Sequence, residues 1–204
     1  MRVFITGAAG FIGAATTREL IANGHQVLGL ARSDANIEAL KKMGAEVHRG
    51  SLEDLDSLKS GAKQTDGTIH CAFIHDFAKF AENGQIDKRA IEAMGDALIG
   101  TNKPFIVTSG TALIAPGVTA TEDMRRDANE HVPRVSEQAG LAYASRGVRA
   151  MAIRLPQVHG GEGKAGLITY LLELARQKGS AAYIGDGSAR WAAGMGPSYA
   201  GRCL

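Results

Sequence analysis

Three glycines stand at intervals of three, at positions 7, 10 and 13, in the stretch "TGAAGFIG". A short apolar run, residues 2–6, precedes them, and a predicted helix, residues 14–22, follows them. Glycine lets backbone N–H groups approach a pyrophosphate, and the positive end of the helix dipole then faces the anion. The spacing predicts a dinucleotide-binding turn made of six residues: Gly7, Ala9, Gly10, Phe11, Ile12 and Gly13.

A glycine-rich turn can also serve only to pack a strand tightly against a helix. The strand before the turn and the helix after it favour the binding interpretation. A mononucleotide phosphate loop is disfavoured, because no Gly-Lys-Ser/Thr follows the glycines.

Polar side chains follow three later predicted strands, at residues 68–73, 104–110 and 148–155. The carboxyl ends of parallel strands lie at one edge of a sheet, so these side chains are expected on one rim. They are His75, Asp76, Ser109, Thr111, Gln157 and His159. Histidine titrates near neutrality, which makes His159 a candidate for moving a proton. The alternative is a histidine that only packs or bonds a loop carbonyl, and the same alternative applies to His75.

The elements that would position these groups alternate along the chain. Predicted strands cover residues 2–6, 25–31, 45–50, 68–73, 104–110 and 148–155, and predicted helices cover 14–22, 34–44, 51–61, 86–99, a segment after Pro133, and 166–179. This alternation predicts an α/β fold, a Rossmann-type doubly wound parallel sheet with helices on both faces.

Composition excludes several function classes. The 23 basic and 21 acidic residues leave a formal charge of +2 without a basic block, which disfavours nucleic acid as a partner. No apolar run approaches the ~18 residues of a membrane span, so no membrane is expected. The two cysteines, Cys71 and Cys203, and the spacing of the histidines support neither a disulfide framework nor a metal site. We expect a cytoplasmic protein with a small-molecule substrate, and a homodimer stays open.

Four segments resemble the short-chain dehydrogenase/reductase superfamily, in its extended and atypical, epimerase/dehydratase-like branch. They are "TGAAGFIG", "FIVTSGT", "VRAMAIRLPQVHG" and "YIGDGSARW". The resemblance covers residues 1–191. It implies a Rossmann-type domain that binds NAD or NADP, includes part of the substrate region, and transfers hydride at a carbon bearing oxygen.

Charge at the end of the second strand favours NADP, with NAD still open. An NAD site places a carboxylate there, whereas this chain has Arg32 and Ser33. A guanidinium matches a phosphate bidentately, although a solvated surface arginine is the alternative. Further residues expected to line the cofactor are Cys71, Ala72, Phe73, Thr108 and Leu155.

The resemblance also implies catalytic positions. Ser109 fits the serine that orients the substrate oxygen, and Asp87 falls where an asparagine is expected. The family's Tyr-x-x-x-Lys pair is missing: the Lys position falls at Pro133 or Arg134, and the Tyr position at Asn129 or Glu130. Tyr143 lies too far along the chain and has Gly147 four residues later.

Two functions remain open. One is an NADP-dependent oxidoreductase or epimerase/dehydratase-like enzyme acting on a small carbonyl or hydroxyl compound, which the Ser109 loop and the polar rim favour. The other is a non-catalytic NADP-binding redox sensor, which the missing Tyr and Lys favour. We lean toward the enzyme.

Residues 192–204 carry three Gly and one Pro and lack apolar residues at helical spacing. We therefore expect an irregular tail in place of a substrate lobe. A shifted reading frame, a truncation or a naturally short variant would each account for it.

Overall fold

A sheet of six parallel strands organises the molecule, which a computed structural model describes over residues 1–114, 118–125, 132–160 and 166–195. The strand order is β3-β2-β1-β4-β5-β6. The strands are β1 (Arg2–Thr6), β2 (Gln26–Ala31), β3 (Glu46–Arg49), β4 (Gly67–His70), β5 (Pro104–Gly110) and β6 (Arg149–Leu155). The predicted doubly wound parallel sheet is confirmed. β2 and β3 lie on one side of β1, and β4, β5 and β6 lie on the other, so the direction in which strands are added reverses between β1 and β4.

Within the residues that the structure describes, six α-helices connect or follow the strands. They are α1 (Phe11–Ala22), α2 (Asp34–Lys42), α3 (Leu55–Lys63), α4 (Phe80–Leu98), α5 (Ser136–Leu141) and α6 (Leu167–Lys178). Side chains cap two of them: the Ser33 hydroxyl accepts from the Asn36 amide, and the Asp54 carboxylate accepts from the Ser57 amide. α3 therefore begins at Leu55 rather than at the predicted residue 51.

Two other predicted boundaries move for tertiary reasons. The fourth strand ends at His70 rather than at residue 73, and residues 71–76 form a loop. α4 begins at Phe80 rather than at residue 86, and it continues through Gly84. A Cβ at Gly84 would lie 2.5 Å from the Pro133 carbonyl oxygen, so this glycine permits close packing despite its weak helix propensity.

Apolar side chains cover both faces of the sheet. On one face Phe4 packs with residues of α3 and α4 such as Leu58 and Met94. On the other, Ile5 packs with Leu20 of α1 and other buried residues. Neighbouring strand residues point to opposite faces, so a continuous apolar run is what a doubly covered strand requires.

A second, two-stranded sheet lies after the main one. It pairs β7 (Gln157–His159) with β8 (Ala193–Met195) in parallel. The irregular tail predicted from residue 192 is therefore wrong at residues 193–195, whose backbone groups join a ladder. Residues 196–204 lie outside the described residues. In the part of the chain that the structure describes, no helix is long and apolar enough to cross a bilayer.

Candidate functional site

The glycine turn is closely packed. Gly7 adopts φ +68°, and a Cβ there would lie 2.9 Å from the Ala72 backbone. A Cβ at Gly13 would lie 2.1 Å from the Gly7 carbonyl oxygen, and the Gly10 amide donates to that oxygen over 2.8 Å. At residues 7 and 13 the backbone therefore approaches too closely to leave room for a side chain.

The start of α1 fits an anion. Gly10 is its N-cap and gives no side-chain cap, and the first turn holds no acidic residue. The first N–H groups of a helix need acceptors, and a pyrophosphate supplies them. The residues present therefore fit a dinucleotide at the carboxyl edge of β1.

Arg32 and Ser33 follow β2 at the surface. The Ser33 hydroxyl caps α2, and the neighbouring Asp34 carboxylate pairs with Arg49 at the end of β3. This pairing offsets the negative charge beside Arg32. The exposed guanidinium lies where the sequence predicts the 2′-phosphate of NADP.

The loop after β4 forms the wall facing the glycine turn. The Cys71 amide donates to the Thr6 carbonyl over 3.2 Å, and the Ala72 amide lies 3.4 Å from the Thr6 hydroxyl. Cys71, Ala72 and Phe73 are half-buried. They lie beside the turn, as predicted for cofactor-lining residues, and their contact with a cofactor stays a prediction.

A chain of buried polar groups runs beneath this wall. The Thr6 hydroxyl and His70 Nδ1 are 2.7 Å apart, and His70 Nε2 lies 3.0 Å from Asp87 Oδ1. The Ser136 hydroxyl donates to Asp87 Oδ2 over 2.6 Å. Burial alone would raise the pKa of Asp87, but the hydrogen bonds from His70 and Ser136 and the charge of Arg134 hold it below its ordinary value. Asp87 is 1% exposed, which restricts it to acting through its partners.

Arg134 completes this network. Its Nε donates to the Ser136 hydroxyl over 3.0 Å, and a terminal nitrogen donates to the Thr108 carbonyl over 3.1 Å. Its guanidinium carbon lies 4.3 Å from the centre of the Phe73 ring. Burial lowers the pKa of Arg134, whereas Asp87 raises it. The sequence named this position only as one place where the family's Lys falls.

Ser109 takes part in a second network. Its side chain lies beside the Glu137 carboxylate and contributes to lowering the pKa of that group, and the carboxylate accepts from two Arg154 nitrogens over 2.9 and 2.6 Å. Arg154 also donates to the Met124 carbonyl over 2.6 Å, which ties the loop after β5 to β6. The bonds from Arg154 hold the pKa of Glu137 below its ordinary value, although burial opposes them. Ser109 is 7% exposed, and its role at a substrate oxygen stays a prediction.

The remaining predicted residues are more dispersed. Thr108 is buried and offers its carbonyl to Arg134, while the Leu155 carbonyl lies 3.5 Å from the Thr111 hydroxyl. His159 lies in β7, opposite Met195, rather than at the end of a strand of the main sheet. In the described ranges no group of His, Cys, Asp and Glu side chains could hold a metal ion.

Tyr143 lies away from this edge. Its ring packs on Gly95, and its hydroxyl donates to Asp96 Oδ1 over 2.9 Å.

The sequence did not identify three residues of these networks: His70, Glu137 and Arg154. Their spacing does not indicate which partner each one contacts in the fold.

A Rossmann-type sheet with a glycine turn defines a class of dinucleotide-binding folds. The model of the NAD dependent epimerase/dehydratase family matches residues 3–193. The chain belongs to this family.

Two relatives and one solved structure illustrate the similarity. An uncharacterized protein of Saccharomyces cerevisiae is 43% identical over 196 residues, which cover 95% of this chain and 66% of that protein. A 2-alkyl-3-oxoalkanoate reductase of Stenotrophomonas maltophilia is 30% identical, over 92% of this chain and 59% of the relative. A UDP-glucose 4-epimerase of Thermus thermophilus, in complex with NAD, superposes with a TM-score of 0.73 at 18% identity, over 98% of this chain and 72% of that chain. The chain thus spans less than two thirds of the length of the Saccharomyces cerevisiae protein and of the Stenotrophomonas maltophilia reductase.

Proposed function

We propose that this chain is an NADP-dependent oxidoreductase or epimerase/dehydratase-like enzyme acting on a small carbonyl or hydroxyl compound. The observation that carries the proposal is the glycine turn, which leaves the first N–H groups of α1 without a capping side chain. Arg32, placed after β2, supports NADP over NAD.

In this proposal Gly7, Gly10 and Gly13 hold the pyrophosphate, and Arg32 with Ser33 hold the 2′-phosphate. A bound nicotinamide cofactor would supply or accept a hydride. Ala72 and Phe73 form an apolar wall that keeps water from one side of the site. Ser109 orients the substrate oxygen, and the Glu137–Arg154 pair keeps the serine in place.

The second candidate is an NADP-binding protein without catalysis. The observation that favours it is the position of Tyr143, whose hydroxyl donates to Asp96 of α4. With Gly147 four residues on, this tyrosine does not form the family's proton-transfer pair.

Fluorescence titration with NADPH and with NADH separates binding from chemistry. We expect saturable NADPH binding that is tighter than NADH binding. A panel of small carbonyl compounds, including 2-alkyl-3-oxoalkanoates, is then screened for NADPH oxidation. Turnover that falls in Ser109→Ala with unchanged NADPH affinity supports the enzyme. Tight NADPH binding without turnover supports the sensor, and no binding of either nucleotide refutes both.

A further inference from the structure

The Phe73 ring is the meeting point of three side chains. Arg134 stacks on it at 4.3 Å, His75 meets it edge to face with ring centres 5.3 Å apart, and Phe80 of α4 lies 5.7 Å away. Phe73 follows directly on the loop that faces the glycine turn. A cation and an imidazole are therefore held on one aromatic ring at the edge of the predicted cofactor site.

His75 is held in this position by its own loop. The neighbouring Asp76 carboxylate accepts from the Ala78 amide over 3.0 Å, and the Asp76 carbonyl accepts from the Asn83 side chain over 2.9 Å. These bonds hold Asp76 against the start of α4, and the edge-to-face contact with Phe73 positions the neighbouring His75 ring.

We propose that His75 is the proton-transferring residue of the site and that Arg134 is its positioning partner, so that together they replace the family's missing Tyr and Lys. This inference rests on the proposed function. The Arg134 guanidinium and the His75 imidazole contact the same Phe73 ring, so a cation is held near the imidazole. Arg134 also occupies one of the two positions where that lysine falls in the sequence.

The charges around His75 support this assignment. Arg134 acts on it from the segment before α5, and Asp76, next to it in the chain, directs its carboxylate to Ala78. Burial lowers the pKa of Arg134 and the Asp87 carboxylate on α4 opposes that effect, while a guanidinium keeps its charge near neutral pH in either case. Partial burial of the ring lowers the pKa of His75 and the Arg134 charge lowers it further, against a smaller opposing effect of the Phe73 backbone.

The proposed step balances in both directions. In oxidation, the neutral His75 imidazole would accept the proton of the substrate hydroxyl, the electron pair of the O–H bond would form C=O, and a bound NADP⁺ would take up the hydride that the carbon loses. In reduction, the His75 imidazolium would give its proton to the carbonyl oxygen while a bound NADPH would supply the hydride to the carbon. A lowered pKa makes that imidazolium a stronger acid.

The pairing can be tested without a substrate. The His75 pKa is measured by NMR titration of ¹³C-labelled histidine, with His75→Gln to assign the signal. We expect a wild-type pKa below the ordinary 6.5, a rise toward that value in Arg134→Met and Arg134→Gln, and a low value retained in Arg134→Lys. Both uncharged variants, Arg134→Met and Arg134→Gln, are prepared, because the test needs only one of them to fold. Circular dichroism verifies the fold of each variant. An unchanged His75 pKa in a folded, uncharged variant refutes the pair.

Arg146 provides a matched control. It also stacks on an aromatic ring, lying 4.7 Å from the centre of Tyr143, and it also pairs with a carboxylate, that of Asp96. Arg146→Met removes the same charge and the same stacking away from the site. It should leave the His75 pKa and the NADPH affinity unchanged.

Kinetics test the catalytic role. With a substrate from the carbonyl panel, His75→Gln should lower kcat about 100-fold or more while NADPH affinity stays within about twofold. Arg134→Met should move the pH profile of kcat to higher pH, which a merely structural role would not do, and Arg134→Lys should restore it. Normal kcat in His75→Gln overturns the proposal. Wild-type protein that binds NADPH and reduces nothing also overturns it, and absence of NADPH binding identifies failure of the proposed function instead.

Discussion

His70 and Asp87 share a hydrogen bond of 3.0 Å in the interior, where each side chain is only 1% exposed. The bond joins the end of β4 to the middle of α4, and Thr6 and Ser136 extend it to β1 and α5. A buried carboxylate is costly unless its oxygens are occupied, and here both are.

Asp87→Ala should lower the free energy of unfolding by about 3 kcal/mol, because it leaves His70 and Ser136 buried without their acceptor. Asp87→Asn should cost less, since the amide keeps the shape and one acceptor. Urea denaturation at pH 7 measures both. The exposed Glu82 on the same helix gives the control: Glu82→Ala should stay within about 0.5 kcal/mol of wild type. Equal stability of Asp87→Ala and wild type would contradict the assigned network.

Gly13→Ala should destabilise the fold far more than Gly24→Ala. The added Cβ at residue 13 meets the Gly7 carbonyl oxygen at 2.1 Å, and backbone cannot rotate away as a side chain can. Gly24 has φ +78° but nothing within 4 Å, so its alanine variant carries only the backbone penalty of about 1 kcal/mol. Thermal unfolding should show a loss of about 3 °C for Gly24→Ala and about 10 °C for Gly13→Ala. Similar shifts in the two variants would argue against a closely packed turn.

Arg32→Asp should weaken NADPH binding about 10- to 100-fold and NADH binding little. The substitution removes a charge-assisted partner of the 2′-phosphate and adds repulsion, and only NADPH carries that phosphate. Fluorescence titration with the two nucleotides provides the ratio. Arg149→Asp, at the amino end of β6, makes the same charge change at the opposite edge and should alter neither affinity. Equal losses for both nucleotides in Arg32→Asp would exclude the 2′-phosphate contact.

The Glu137–Arg154 pair should make stability fall at acid pH. The pKa of Glu137 is lowered in the folded state, so its contribution is complete above the ordinary value of 4.5 and is lost as pH falls below it. Glu137→Gln should flatten the stability curve below pH 4.5. Arg154→Met should be more harmful at pH 7, by about 3 kcal/mol, because it leaves the buried carboxylate without its cation. An acid limb that is the same in Glu137→Gln and wild type would rule out this linkage.

Tyr143 should ionise at a higher pH than an ordinary tyrosine. Burial, with the Asp96 hydrogen bond and charge, raises the pKa of Tyr143 to about 12. Its contribution to stability is complete below pH 10, the ordinary value, and disappears as pH rises toward 12. Absorbance titration at the phenolate band should show a late step that is absent in Tyr143→Phe, while Asp96→Asn moves it to lower pH. Titration of all tyrosines near pH 10 in folded protein would contradict the burial of this hydroxyl.

The fold could be predicted because its signals are local. The turn is indicated by the glycines at 7, 10 and 13, and the doubly covered strands are indicated by apolar runs such as residues 104–110. Both signals can be recognised without knowing which distant residues contact these segments. The predicted and observed helix boundaries differ where contacts that the sequence pattern does not report determine them. Asp54 caps α3, which therefore begins at Leu55, and α4 begins at Phe80 and includes Gly84, which packs closely against Pro133.

The site could be predicted only where one segment forms it. The turn and Arg32 follow from adjacent residues, whereas Arg134 meets Phe73 across 61 positions and Glu137 meets Arg154 across 17. Such pairings depend on how the carboxyl ends of β4, β5 and β6 come together. The sequence therefore predicts His75 and Ser109 at one edge without assigning their partners, and it names Arg134 only as a position where the family's Lys falls.

The pairing of β1 with β4 has a consequence for how the chain folds. Thr6 lies opposite His70 in the centre of the sheet, although 64 residues separate them. Before β4 is made, β2 can pair with β1 and β3 can pair with β2, but the other side of β1 stays open until β4 is available. Closing so long a loop costs chain entropy before any contact compensates it, so the central pairing should come late and slowly. During synthesis, the unpaired side of β1 is the edge that a chaperone would need to shield.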